Sequence, residues 1–356
     1  MIKILKRCWR IAAIIRLIDW RGFFKHHHTD ARILLWIPKM SLKYFGSDAL
    51  IWDMATLAAL IRQKKPFKIV TGRKIGRYHR KKIFFSLSLT YNIYGFANHT
   101  AVLEHIATQL ERQGNRIFPS KHELSFWENK ARMHEAFRAA GVHEPLSQIC
   151  TNPVALLADH PPFPFLIKSE HSCASQGLYK IESTEQLINL VKDKQFMREN
   201  KTVIVQELIN MRRDLRVILV GNEVVSHYWR INLAKEWKPT ATSKGSRVDF
   251  DNFPEKWRQH IQDTFASLKL TTGAFDITWQ NDDLDTLPLY LEVSPFYQPN
   301  PRMKACQKPY SNYKTGLQLK KSWDVAYVRL VFAIKEKQVA QYLKRPSFSK
   351  ELSPAI

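Results

Sequence analysis

The chain has 356 residues, 45% hydrophobic and 24% charged, which excludes bulk disorder and allows two or three domains with good cores. Its 55 Lys and Arg against 32 Asp and Glu leave a net charge of +23, a balance that calls for anionic partners such as membrane, nucleic acid, nucleotide phosphate or acidic glycan. Cys8, Cys150, Cys173 and Cys306 stand far apart with no CxxC spacing, which argues against a zinc site or a disulfide framework and for a reducing, cytoplasmic compartment.

Residues 1–24 read as a basic amphipathic helix. Ile2, Leu5, Trp9, Ala13 and Leu17 fall near helical spacing, and Lys3, Lys6, Arg7 and Arg10 fill much of the other face. Arg10, Arg16 and Asp19 interrupt any apolar run near the ~20 residues of a spanning helix, and no cleaved-leader pattern is evident. Two readings stay open. One is a helix lying on the inner face of an anionic membrane; the other is an ordinary helix packed on the protein. Lys25, His26, His27 and His28 follow as a polar linker.

Strands are expected at residues 32–38, 66–72 and 81–90, and helices at 48–62 and 99–112, which makes a small α/β domain over residues 29–118. The basic run 71–82 reads as an exposed loop suited to a membrane or an anionic substrate. Neither GxGxxG nor GxxxxGK[ST] occurs, so the Rossmann and P-loop phosphate cradles are not available. A helix over residues 125–142 has Ser125 as cap and Glu128 three residues on, a capping-box pattern. A strand at 164–169 carries Lys168, a loop covers 171–177, and strand 178–181 and helix 184–192 follow. Strand 202–209 holds Gln206 and Glu207. Residues 214–220 and 223–231 form a hairpin through Gly221-Asn222. A helix at 254–268 leads to a second hairpin, 274–295, and a helix at 322–344 precedes the tail. His122, His134 and His143 read as surface or packing residues, and Trp36, Trp52 and Trp127 as core.

The second hairpin carries Asp276 on one strand and Glu292 on the other. A carboxylate in an apolar strand is costly to bury without a partner, so the pair either faces a cation or lies on a solvated face. Lys168, Glu207, Arg216 and Arg230 also sit on strands. Cations and carboxylates together in one domain suit a nucleotide triphosphate with magnesium, cations on the phosphates and carboxylates on the metal.

From about residue 120 to 300 the order of parts resembles the ATP-grasp superfamily, most of all its glutathione-synthetase and glutamate-ligase branch. Asn129-Lys130 opening a helix and Lys168 on the next strand look like the two lysines that contact ATP. Gln206-Glu207-Leu208-Ile209 resembles the adenine and ribose hinge, and Arg213-Asp214-Leu215-Arg216-Val217 resembles the phosphate-facing hairpin. Tyr228-Trp229-Arg230-Ile231-Asn232 is similar to the arginine-x-asparagine element near substrate. Gly273-Ala274-Phe275-Asp276 and Leu291-Glu292-Val293-Ser294 look like the two magnesium strands. The resemblance implies an ATP-grasp fold, two α+β subdomains gripping ATP, with a lid over 119–205 and a Mg-ATP and catalytic part over 206–300. Residues 1–28 precede the small α/β domain and 301–356 form a C-terminal helix and tail. It also implies an ADP-forming carboxylate–amine ligase working through an acyl phosphate. Lys130, Lys168, Gln206, Glu207, Leu208, Asp214, Ser172, Ser175 and Gly177 would then contact nucleotide, Asp276, Glu292 and Ser294 the metal, and Arg216, Arg230 and Asn232 the reacting groups. Two departures stand out. The 171–177 loop has one glycine, Gly177, and Ser294 replaces the customary asparagine, which favours one magnesium over two. An acceptor on an envelope glycan at the membrane, a small amino acid or peptide acceptor, and a non-catalytic nucleotide- or nucleic-acid-binding protein remain as alternatives, the last without a recognisable nucleic-acid module.

Overall fold

A computed structural model describes residues 11–12, 14–38, 40, 42–45, 48–72, 74–86, 99–172, 175–234, 236–297, 299 and 321–344. These residues fall into two compact units. One is drawn from Met1–Tyr91, Gln109–Pro119 and Val328–Ile356, the other from Asn92–Thr108 and Ser120–Tyr327. Residues 1–10 of the expected N-terminal helix, 87–90 of an expected strand, 173–174 of the loop and the tail segments 301–320 and 345–356 lie outside the described residues.

In the first unit, apolar runs build a parallel sheet of β1 (Ile33–Ile37), β2 (Phe67–Thr71), β3 (Lys82–Phe85) and β4 (Arg116–Phe118), in the order β2-β1-β3-β4. Every β1 residue is buried, as expected of a strand covered on both faces. The Asp48–Arg62 helix supplies Leu57, Leu60 and Ile61 to the core. The Lys321–Lys344 helix brings Tyr342, whose ring lies 5.0 Å from Phe84 and 5.1 Å from Phe118.

The N-terminal expectation of one continuous helix is corrected. The chain bends at residue 18, and the carboxylate of Asp19 caps a new helix, Trp20–His26, by accepting the Gly22 N–H at 3.0 Å. Gly22 allows close packing: a Cβ there would stand 2.7 Å from Ile61 Cγ2.

The second unit holds two antiparallel sheets. The smaller takes β5 (Ser147–Cys150), β6 (Phe165–Ser169), β7 (Leu178–Ile181) and β8 (Val203–Glu207) in the order β5-β8-β6-β7. One face, with Phe165, Ile167, Val203 and Val205, packs on Leu187, Val191 and Phe196 of the Thr184–Lys192 and Lys194–Glu199 helices. Alternation therefore sends Leu166, Lys168, Ile204 and Gln206 to the opposite face.

The larger sheet takes β9 (Arg213–Val220), β10 (Glu223–Ile231), β11 (Arg247–Asp249), β12 (Thr272–Thr278) and β13 (Leu289–Ser294) in the order β11-β10-β9-β12-β13. Leu215, Val217, Leu219, Trp229, Phe275, Ile277, Tyr290 and Val293 make one face a core, packed on Phe137, Ile261 and Phe265. Strict alternation would put Tyr290 and Glu292 together on this face. A bulge at Leu291 prevents it: Asp276 pairs with Glu292, but the next position, Ile277, pairs with Tyr290. The ring turns inward and the carboxylate outward.

The expected capping box is also moved. Ser120 and Glu123 form it, capping a short Lys121–Leu124 helix, and Ser125 closes that helix. Glu128 adopts a left-handed φ of 48°, and the longer helix starts afresh at Lys130 with Asn129 as cap. Ser120-His122-Glu123 has its own S-x-x-E spacing, and Glu123 is kept there because its second oxygen accepts the Thr271 N–H at 2.8 Å.

Candidate active site

On the outer face of the larger sheet, Tyr228, Arg216, Asp276 and Glu292 lie directly opposite one another across β10, β9, β12 and β13. Directly opposed residues share a face, so four separate stretches of sequence deliver one polar row. Beside it, Arg230 is opposite Asp214.

The row is tightly paired. Arg216 donates from Nε and Nη2 to the two oxygens of Asp276, both at 2.7 Å. Arg230 Nη2 lies 2.7 Å from Asp276 Oδ2, and Arg230 also grips Asp214 through Nε at 2.9 Å and through Nη2. Asp214, Arg230 and Asp276 are buried. Two aspartates and two arginines compensate each other, which is how such charges are tolerated away from water. Burial alone would push the Asp276 carboxyl up, but Arg216 and Arg230 outweigh it and hold it well below the usual carboxylate range. For Asp214 burial prevails over Arg230 and pushes it up to about 6, which leaves it ionised at neutral pH.

Lys168, on the face of the smaller sheet opposite its helices, meets this row through charge. Burial pushes its ammonium down to about 8 against the attraction of Glu292, and the nearby cation Lys130 adds to the depression. Among the described residues Lys168 has neither an ion pair nor a hydrogen bond from its ammonium. Lys130 is tied into the loop, donating to the Ser172 carbonyl at 2.5 Å and to its hydroxyl at 3.1 Å.

Other expected residues stand as follows. Gln206 Nε2 donates to Ser147 Oγ at 2.8 Å, and Glu207 Oε1 accepts the Leu146 N–H at 2.7 Å, so both side chains fasten β8 to β5. Leu208 follows β8 and is half-buried. Ser175 and Gly177 both take positive φ, 59° and 60°, in the loop after Ser172. Asn232 shapes the turn that leaves β10, accepting from Ala234 N at 2.9 Å and donating to Lys238 O at 3.3 Å. Ser294 Oγ closes on the backbone of Phe296.

The remaining donor positions are compatible with a divalent ion. A carboxylate offers about four lone-pair sites; the arginines take three on Asp276, and one on Oδ1 remains. Glu292 stands opposite, without an ion pair among the described residues. No cluster of three or more His, Cys, Asp or Glu that could hold a metal occurs among them. Two protein carboxylates with phosphate oxygens and water match the way magnesium sits beside nucleotides.

No protein-family model and no curated protein sequence matches the chain. Solved structures do. A RimK-domain ATP-grasp protein from Sphaerobacter thermophilus DSM 20745 aligns at TM-score 0.51 and 13% identity, over 85% of this chain and 99% of that one. D-cycloserine synthetase DcsG aligns at 0.52 and 12%, over 85% and 99%. D-alanine–D-alanine ligase from Bacillus anthracis complexed with ATP aligns at 0.51 and 13%, over 87% and 100%. The chain has the ATP-grasp fold.

Within this ATP-grasp fold, sequence reasoning gave no individual role to two residues at or near the charged row. Tyr228 shares the row with Arg216; the alternation of Tyr228 with Arg230 on one strand was the available signal. His134, expected at the surface or in packing, is fully buried with Nδ1 against Glu144, and Glu144 lends negative charge to Lys168. No local signal joins these residues. His122 and His143 bond backbone carbonyls of Leu268 and Pro288. Trp36 is core, whereas Trp52 and Trp127 are half-buried, Trp127 stacked on Phe296 at 4.1 Å.

Proposed function

We infer that the chain is an ATP-dependent ligase that activates a carboxylate as an acyl phosphate and joins it to an amine. The row Tyr228–Arg216–Asp276–Glu292, with Lys168 under the electrostatic pull of Glu292, is the observation that carries this reading. The adenine would meet backbone groups around Glu207 and Leu208. Lys168 and Lys130 would neutralise phosphates, with Ser172, Ser175 and Gly177 closing over them. Asp276 and Glu292 would hold Mg²⁺, which supplies positive charge to the phosphates when bound.

Arg216 and Arg230 each spend Nε and Nη2 on the aspartates, and neither Nη1 meets an acceptor among the described residues. Those N–H groups would face the charge that develops on the transferring phosphoryl group. The substrate carboxylate oxygen bonds to the γ-phosphorus as the bond to ADP breaks. The amine nitrogen then attacks the acyl carbon, inorganic phosphate leaves, and the amine proton passes to solvent. Fixed guanidinium groups need no reorganisation at that moment, which is the main electrostatic source of rate.

The net charge of +23 supports an anionic acceptor, such as an envelope glycan or lipid-linked precursor at a membrane surface. A small amino acid acceptor is the second reading, favoured by the likeness to D-alanine–D-alanine ligase. The test is ADP release from Mg-ATP in the presence of pooled carboxylates and amines, glycan fragments in one pool and amino acids in another. ADP release dependent on one pool supports the reading and selects the acceptor class; salt-sensitive RNA binding with no ADP release from any pool would overturn it.

A further inference from the structure

The first unit carries a surface that the nucleotide cleft does not use. On the Trp20–His26 helix, Trp20 and Phe24 are four residues apart and so share one face, 41% and 77% exposed. Ile15 and Leu17, just before the helix, are 48% and 39% exposed, and Trp20 Nε1 donates to the Ile15 carbonyl at 3.0 Å, which joins the two segments. Arg21 and Lys25 form an exposed cationic stripe beside the aromatic one. The inner side of the same helix is packed: Phe23 lies 5.9 Å from Phe67, and Gly22 is against Ile61.

This helix borders β2, the edge of its sheet. His28 N donates to the Phe67 carbonyl at 2.9 Å, and Lys68 Nζ to the Thr29 carbonyl at 3.1 Å. Lys68 lies 5.7 Å from the Tyr78 ring, and Arg77 lies 5.1 Å from it. Lys68 and Arg77 thus add positive charge beside the strand that this helix borders. Residues 1–47 contain only two carboxylates, Asp19, spent as a cap, and Asp30; residues 62–82 contain none.

We propose that Ile15, Leu17, Trp20 and Phe24, bordered by Arg16, Arg21, Lys25, Lys68 and Arg77, dock the protein on an anionic lipid bilayer. Exposed aromatic and aliphatic side chains beside cations match a headgroup boundary, where rings enter the acyl region and ammonium and guanidinium groups meet lipid phosphates. A nucleic acid would answer the cations but leave the aliphatic side chains in water. Among the described residues no helix is long and apolar enough to cross a membrane. This inference gives the anionic-surface part of the proposed function a location, and stands on the first unit alone.

The test is sedimentation of the full chain with vesicles of phosphatidylcholine, with and without phosphatidylglycerol. The wild-type chain should favour the anionic vesicles by about tenfold or more, and the preference should shrink with salt. W20A/F24A, at exposed positions, should lower binding about tenfold with unchanged circular dichroism, and R21E/K25E should remove the preference for anionic lipid. Equal binding to both vesicles, no binding to either, or undiminished binding by W20A/F24A would overturn the proposal. So would single-stranded RNA displacing the vesicles with W20A/F24A bound as tightly as wild type. ADP release measured without vesicles reports on the cleft separately, so failure of one reading leaves the other standing.

Discussion

Arg216 and Asp276 face each other across β9 and β12 and join through two hydrogen bonds of 2.7 Å each, a fork against a carboxylate. That geometry fixes the guanidinium plane and directs Nη1 away from the aspartate. Lysine cannot reproduce a bidentate plane. Arg216→Lys should therefore lower turnover by about 10²-fold or more, comparable to losing one preorganised charge donor, and Arg216→Ala should do no better. The measurement is ADP release at saturating Mg-ATP; near-full activity in either variant would remove Arg216 from the chemistry.

In the proposed site Asp214 would act through Arg230, which donates to it. Asp214→Asn leaves a buried guanidinium short of one counter-charge, and breaking a buried pair costs about 3–5 kcal/mol, read as a lower urea midpoint. The pH dependence carries a second signature. Between the ordinary carboxylate range and about 6 the folded chain binds the Asp214 proton more tightly than the unfolded chain does. By itself this group therefore lowers stability as pH rises through that window, and the variant should lose that slope. Asp276 is shifted the other way; its contribution is present above the ordinary range and is lost on acidification.

Lys168 is expected to give nucleotide binding an alkaline limit. With its ammonium pushed down to about 8, half of the free protein loses that charge at a pH where ordinary lysines keep it. ADP affinity, followed by calorimetry, should fall as pH rises through about 8. Lys168→Arg should move that limit upward, and Lys168→Met should lack it and bind more weakly at pH 7. An affinity flat to pH 9.5 in the wild type would contradict the assignment.

Glu292 provides the less encumbered carboxylate of the proposed metal pair. Glu292→Gln keeps the shape and removes the charge, so it should raise the Mg²⁺ concentration needed for half-maximal ADP release and lower turnover by orders of magnitude. Chelation of divalent ions should abolish ADP release in the wild type and restoration of Mg²⁺ should recover it. A Mg²⁺ requirement unchanged by the substitution would place the ion elsewhere.

Much of this architecture was legible because its signals are local. The Asp48–Arg62 and His99–Arg112 helices, the Gly221-Asn222 hairpin and the strands bearing Lys168, Asp276 and Glu292 follow from apolar periodicity and turn residues. Strand β5 escaped because Ser147-Gln148-Ile149-Cys150 is too polar to read as a strand, and it persists through pairing with β8. Ser125 and Glu128 had the spacing of a cap, but Ser120 and Glu123 had it too, and the contact of Glu123 with Thr271, 148 positions away, decides between them. The candidate site divides the same way. Which residues carry charge was readable; that Asp214 holds Arg230 while Arg216 holds Asp276 depends on the register of three strands.

The extra residue at Leu291 ties two properties of the chain together. Because it alone inverts the alternation between Tyr290 and Glu292, a strand slipped by one position would present a phenol where the proposed metal carboxylate stands and drive a charge into the Phe275 core. Mispaired forms of β13 are thus penalised twice, in solvation and in reactivity. Any chain that has packed this strand well has, by the same act, aimed Glu292.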